Sequence, residues 1–341
     1  MVSTAGVGEG SAASAGNCNT VYGQDILVSS GSDGGVARRD GSWYVGRART
    51  FAELLAAYRL VYECYVERGY ITPSAEGIRV TFYNLLPNTA TFVLSRRKQR
   101  HDNPPARMRE HDDRLLGTVS VAIDSPEYGL PLAETFPEQL EDLRKRGRCV
   151  AEAIMLAHRP DGSKPSPFGE FQQLLMLLRC VTDYARLHED EGTRVRDLFI
   201  QCHPHHVNFY KRKLAFEVVD GPRPCPSVRG APAVLMHHDM DTIFERSQRL
   251  VPKASRFFLS REPDPAIRDS GYRLRGEDVI RLLALKPELW RSVARRKPAC
   301  ANFAAMRPDL SSVLPAGIPR VVRLAVPQTD EAAHARREAV A

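Results

Sequence analysis

A chain of 341 residues with 43% apolar side chains is long enough to bury a sizeable core, while its 24 prolines and 23 glycines call for many loops. The formal net charge of +7 favours an acidic partner, whether nucleic acid, anionic lipid or an acidic protein. Seven cysteines, at positions 18, 64, 149, 180, 202, 225 and 300, form no CxxC pair, which argues against a disulfide framework or zinc site and for reduced thiols in a cytoplasm. With no basic-then-apolar leader and no long apolar run, neither a signal peptide nor an integral membrane segment is expected, and the localisation read from the sequence is cytoplasmic.

Residues 1–40 are rich in Gly, Ser and Ala and read as a disordered N-terminal segment. Trp43-Tyr44-Val45 starts a first strand. Thr50 with Glu53 three residues on is a capping-box signature for a helix carrying Leu54, Leu55, Tyr58, Val61, Tyr62 and Tyr65, ended by Gly69. Strands are expected at 89–94 and 115–123, joined by a polar loop over 96–114. A turn-rich insertion at 126–137 leads into a charged helix through about Arg146. Cys149 to Ala157 is an apolar strand interrupted by one carboxylate, Glu152. A Pro/Gly-rich loop over 158–169 precedes the longest apolar helix, 170–187. Leu198-Phe199-Ile200-Gln201-Cys202 suits a buried strand, and His203-Pro204 breaks it. Helical spacing then runs from Val207 to Leu214, and strands follow at 216–219 and 233–237. Past Asp241 the pattern changes, with a helix expected over 277–296 and a charged tail. The chain divides into 1–40, a main domain at 41–241, and a C-terminal helical extension and tail at 242–341.

The run from Leu198 through Phe209-Tyr210 to Phe216-Glu217 resembles the C-terminal signature of the GNAT acyltransferase superfamily. Three further segments resemble one branch of it, the N-acyl amino acid synthases and their relatives the acyl-homoserine-lactone synthases. They are Tyr58-Arg59-Leu60-Val61-Tyr62, Tyr83-Asn84-Leu85-Leu86-Pro87-Asn88, and Gly147-Arg148-Cys149-Val150-Ala151-Glu152. The resemblance covers roughly residues 43–241. It implies an α/β (α+β) fold, with a GNAT-like mixed, mostly antiparallel central sheet flanked by helices. It also implies a long-chain acyl group moved from acyl carrier protein to the amine of an amino acid, with Tyr62 and Asn84 at the substrate and no cofactor. Two alternatives stay open: a CoA-dependent N-acetyltransferase, and a non-catalytic acyl-binding or regulatory module.

Glu152 carries the chemical expectation. A carboxylate in an apolar strand is costly unless paired or facing a wet cleft, and the latter raises its pKa toward that of a base for an amine. The other reading pairs it with Arg59 or Arg148. Arg59, placed on the apolar side of its helix, either binds the substrate carboxylate or anchors Glu152. Tyr210 is either the acid that protonates the departing thiolate, as the resemblance implies, or a core tyrosine. Acetyl-CoA-using relatives carry a glycine-spaced pyrophosphate loop after the central strand, and the glycine spacing over 158–169 does not match it. A carrier-bound donor fits better, with acyl-CoA possible. Arg144, Lys145, Arg146 and Arg148 would then dock an acidic carrier protein, or form an ordinary solvated helix end. His203, His205, His206, His237 and His238 lack a carboxylate at zinc spacing, so no metal is expected. The Arg96-Arg97-Lys98 and Arg295-Arg296-Lys297 runs lack aromatic interleaving, so no nucleic acid is expected either.

Overall fold

The computed structural model describes residues 27–30, 35–38, 43–96, 114–159, 167–190, 193–259, 263, 266–269 and 271–289. Its strands are β1 (Leu27–Ser30), β2 (Gly35–Arg38), β3 (Trp43–Arg47), β4 (Thr89–Arg96), β5 (Arg114–Ile123), β6 (Cys149–His158), β7 (Glu189–Asp190), β8 (Thr193–Cys202), β9 (Glu217–Cys225) and β10 (Ala231–Asp239). Nine of them bond in the order β1-β2-β3-β4-β5-β6-β8-β10-β9, and β7 pairs with the start of β8. Every neighbouring pair is antiparallel except β6 and β8. A parallel pair needs a long crossover, and α3 (Pro167–Leu187) provides it. The fold is the mixed, mostly antiparallel GNAT-like sheet that the sequence implied.

Helices cover both faces. On one side, α3 packs Leu175, Leu178 and Val181 against Phe92, Val119 and Leu198, and α4 (Pro204–Leu214) and α6 (Pro252–Phe258) join that layer. On the other, α1 (Phe51–Glu67) and α2 (Pro137–Lys145) pack over β3 to β6 and over the β6-β8-β10 region respectively. Thr50 caps α1 as expected, its Oγ1 accepting the Glu53 N–H at 3.1 Å. Gly69 follows at φ 69°, a left-handed position that favours glycine. The buried stripe of α1 is Leu54, Ala57, Tyr58, Leu60, Val61 and Cys64. Each fully buried leucine or valine there contributes roughly 2 kcal/mol.

Several elements differ from expectation. Within 1–40, Leu27–Ser30 and Gly35–Arg38 form a hairpin on the edge of β3. Pairing with an existing edge supplies backbone partners without a separate core, which composition alone does not reveal. Helix α4 begins at Pro204, not Val207, because proline suits the first helical turn and the His203 ring accepts a backbone N–H ahead of it. The helix expected over 277–296 is α8 (Gly276–Leu285), which stops because Lys286 precedes Pro287. Before it, α5 (Ile243–Leu250), α6 and the short α7 (Ala266–Asp269) occupy sequence that had given no clear period. Most of the loops over 96–114 and 158–169, both Arg-Arg-Lys runs apart from Arg96, and the charged tail lie outside the described residues. Among the described residues, no helix is long and apolar enough to cross a membrane.

Candidate active site

The parallel pairing of β6 and β8 ends at Ala153 opposite Ile200. Just beyond, Met155 sits at φ 56°, an uncommon conformation for a non-glycine residue, and the β5–β6 register shifts between Thr118 and Ser120. The bulge puts the neighbours Ile154 and Met155 both against the α1 layer. Where the two strands part, a cavity of about 910 Å³ opens. Its walls include Ile154 to His158 of β6, Gln201 and Cys202 of β8, His206, Phe209 and Tyr210 of α4, and the segment from Tyr70 to Tyr83. The segment from Cys225 to Ala233 lines it too, as do Lys286, Glu288 and Leu289, from past the expected domain end at 241.

Glu152 lies in this wall, on the α1/α2 face of β6, and is 1% exposed. Its Oε1 accepts the Gln201 Nε2 hydrogen at 2.7 Å, and its Oε2 accepts the Leu132 N–H at 2.8 Å. The Leu132 donor comes from the 3-10 turn Pro131–Glu134. Burial pushes the carboxyl up to about 7, the two hydrogen bonds pull it back in part, and Glu134 nearby adds to the rise. Among the described residues no cation pairs with it. Pairing with Arg148 is corrected by geometry: Arg148 Nε and Nη2 reach Asp197 at 2.5 and 3.0 Å. Pairing with Arg59 is corrected too. Arg59 is exposed on the side of α1 opposite the buried stripe, and it does not line the cavity.

Tyr210 lines the cavity from α4, edge-on to Phe209 and Phe216. Burial raises its phenol, so the hydroxyl holds its proton. Tyr62 also lines the cavity, but its hydroxyl donates to the Ser74 carbonyl at 2.9 Å and accepts the Ser74 N–H at 2.8 Å. Asn84 is buried outside the lining, and its Oδ1 accepts from the Thr81 N–H and hydroxyl, closing its own 3-10 turn. The expectation placed this residue at the substrate, whereas the structure places its Oδ1 in its own turn and leaves Asn84 out of the lining. Cys202 carries a thiol pushed up to about 12 by burial and directed at the Met236 sulfur, so it is no activated nucleophile.

The basic cluster lies apart from the lining residues. Arg144 binds Asp124 through two bonds of 2.7 and 2.6 Å, Arg146 reaches Asp142 at 2.5 Å, and Lys145 is exposed. The histidines also diverge: His203 stacks on His205, His237 bonds Asp197 at 2.7 Å, and His238 is buried against Phe216. Among the described residues no group of three such side chains is placed to hold a metal ion. Sequence reasoning missed Gln201 and Arg79, which line this wall, and the Leu132 N–H, which donates to Glu152. Gln201 had one visible signal, being the polar residue in an apolar strand, as Glu152 is in its own.

A family model described as N-acyl amino acid synthase FeeM matches residues 56–239, more than half of the chain. The protein belongs to that family. It is an acyltransferase. A solved structure of FeeM, an N-acyl amino acid synthase from uncultured soil microbes, is 22% identical over 60% of this chain and 95% of that one, with a TM-score of 0.46. The acyl-homoserine-lactone synthase LasI is 17% identical over 62% and 95%, with a TM-score of 0.40. A CoA-dependent acyl-homoserine-lactone synthase, BjaI, solved with SAM and isopentyl-CoA, is 14% identical over 67% and 90%, with a TM-score of 0.35. A comparison with curated proteins finds no match. The matched stretch includes Arg79, Glu152, Gln201 and Tyr210, whereas the wall formed by 286–289 falls beyond it.

Proposed function

We propose that the protein transfers a long-chain acyl group from acyl carrier protein to the amine of an amino acid. The observation that carries this reading is Glu152, a buried carboxylate with no cation beside it among the described residues and a pKa near neutrality, facing the cavity where β6 and β8 part. The acceptor's ammonium gives one proton to Glu152, directly or through water. The freed amine attacks the thioester carbonyl carbon, forming the N–C bond, and backbone N–H groups beyond Ala153 stabilise the oxyanion. Collapse breaks the C–S bond, and the second nitrogen proton ends on sulfur through Tyr210. The amide and free thiol leave, and Glu152 returns its proton to solvent.

The inert Cys202 thiol supports direct attack without an acyl-enzyme. A cavity of about 910 Å³ supports a long acyl chain beside an acceptor over an acetyl group alone. For the donor, the net charge of +7 and the glycine spacing over 158–169 support a carrier protein. With Arg144 and Arg148 committed to Asp124 and Asp197, docking rests on the exposed Lys145 and Arg146. Mass spectrometry of lipid extracts from an expressing host tests the reading. N-acyl amino acids are expected; acetylated small amines or no new product would overturn it.

A further inference from the structure

The positive charge of the chain gathers on one face. Helices α4, α5 and α6 together carry seven lysines and arginines and a single acid, Glu245, so they account for most of the net +7 of the whole chain. The three helices are neighbours. Arg246 Nε of α5 donates at 3.3 Å to the carbonyl of Ala215, the residue that ends α4, and α5 turns directly into α6 at Val251. Arg246 itself is held by Glu217. The other six cations are Lys211, Arg212 and Lys213 of α4, Arg249 of α5, and Lys253 and Arg256 of α6. All six are exposed, and none has an ion-pair partner among the described residues. Like charges gathered in this way repel one another, so the face is poised to attract an anionic surface.

Two large apolar side chains stand out among these cations, each 49% exposed: Leu250 at the end of α5 and Val218 of β9. Val218 lies opposite Met236, which packs in the α3, α4 and α6 layer, so it points to that same side of the sheet. A helix C-terminus accounts for a cation beside its last carbonyls, but not for apolar tips among the cations. Cations around protruding apolar groups match a bilayer surface, where headgroup phosphates take the charge and the acyl boundary takes the tips. Nucleic-acid phosphates would answer the charge and leave the tips in water. A carrier protein must dock where its thioester reaches the cavity, and none of the six cations, nor any residue of α5 or α6, lines it. Lys145 and Arg146, on α2, lie across the sheet from this layer. We infer that α4, α5 and α6 form a peripheral docking surface for an anionic lipid bilayer. Lys211, Arg212, Lys213, Arg249, Lys253 and Arg256 meet the headgroups, and Leu250 enters the acyl boundary. The assignment holds whichever donor and acceptor the cavity takes.

The test is co-sedimentation of the full chain with vesicles of equimolar phosphatidylcholine and phosphatidylglycerol, set against vesicles of phosphatidylcholine alone. Wild type is expected to bind the anionic vesicles on the order of tenfold or more tighter, with affinity falling as salt rises. A variant combining Lys211→Gln, Arg212→Gln, Lys213→Gln, Lys253→Gln and Arg256→Gln is expected to lose on the order of tenfold or more of that affinity at an unchanged melting temperature. Leu250→Ser is expected to weaken binding several-fold at low and high salt alike, since it removes apolar contact and no charge. Should the five-residue variant fold poorly, Lys211→Gln with Arg212→Gln reads the same loss in smaller measure. Equal binding to both vesicle types, binding to neither, or wild-type binding by the charge variants would overturn the assignment. A five-residue variant that keeps its hold on vesicles but loses affinity for carrier protein would give this face to the donor instead.

Discussion

Two carboxylates on adjacent strands, Glu152 of β6 and Asp197 of β8, are each 1% exposed, yet they behave oppositely. Asp197 faces the closed end of the β6–β8 pair, in register with Val150, where Arg148 and His237 both reach it. Burial pushes it up, but those hydrogen bonds and charges outweigh burial and hold it below the usual range. Glu152 lies one step before the strands part and receives only neutral donors, so burial prevails. Desolvation is shared, and the partner decides the outcome. A paired carboxylate is fixed as an anion and serves the fold, whereas one with neutral donors titrates near neutrality and suits proton transfer.

The largest separation of the two comes from removing each charge in turn. Glu152→Gln keeps the shape of the side chain and loses the base, so turnover is expected to fall on the order of a hundredfold or more at a melting temperature no lower than that of wild type. A well-folded, fully active variant would remove Glu152 from the mechanism. Asp197→Asn is expected to do the reverse. Stability drops by about 3 kcal/mol in urea titration as Arg148 loses its two bonds to Asp197 and keeps only Asp239 at 3.4 Å, while the activity of the folded fraction stays within a few fold.

Opposite pKa shifts also give opposite pH dependence. The folded pKa of Glu152 lies above the ordinary 4.5, so its contribution to stability is full below 4.5 and is lost as pH rises to about 7. That loss is about 3 kcal/mol, and it should appear as a pH-dependent difference between wild type and Glu152→Gln, which does not titrate, across that window. For Asp197 the lowered pKa gives a contribution present above its unfolded value and lost in acid. Activity should rise with pH through about 7 as Glu152 ionises. Replacing Gln201 with Leu removes a bond that favours the anion, so the midpoint of this profile should move upward. An unmoved midpoint would assign the profile to another group. Smallest is the surface effect: Lys145→Glu with Arg146→Glu should slow association with carrier protein and flatten its salt dependence, without touching either carboxylate. An unchanged salt profile would return these side chains to ordinary surface.

Much of this was legible in the chain. Glu152 stood out because a lone charge in Cys149 to Ala157 has few explanations, and the strand order followed from apolar runs and turn residues. Arg59 misled because its neighbours Tyr58 and Leu60 are both buried, although one residue of rotation carries it to solvent. Asn84 misled because a short polar side chain often satisfies its own turn. Arg79 and Gln201 were not legible as a pair. They lie 122 positions apart, and only the crossing of the 70–83 segment over the β6–β8 gap brings them to one cavity. Pairing of Arg144 with Asp124 and of Arg148 with Asp197 was equally a matter of tertiary contact, whereas Arg146 pairs with Asp142 only four residues away.

The C-terminal wall has a consequence for how the molecule comes apart. Val279, Leu282, Leu283 and Leu289 share one apolar cluster with Leu54, Val61 and Met155, and Tyr272 donates its backbone N–H to the Ala48 carbonyl at 2.7 Å. Losing α8 would strip the cover from α1 and from the bulged end of β6 together. Unfolding of this region should therefore be cooperative with the catalytic sheet, giving one melting transition and amide protection on α8 comparable to that on α1. A chain cut at residue 241 would lose apolar cover from the sheet as well as a wall of its cavity.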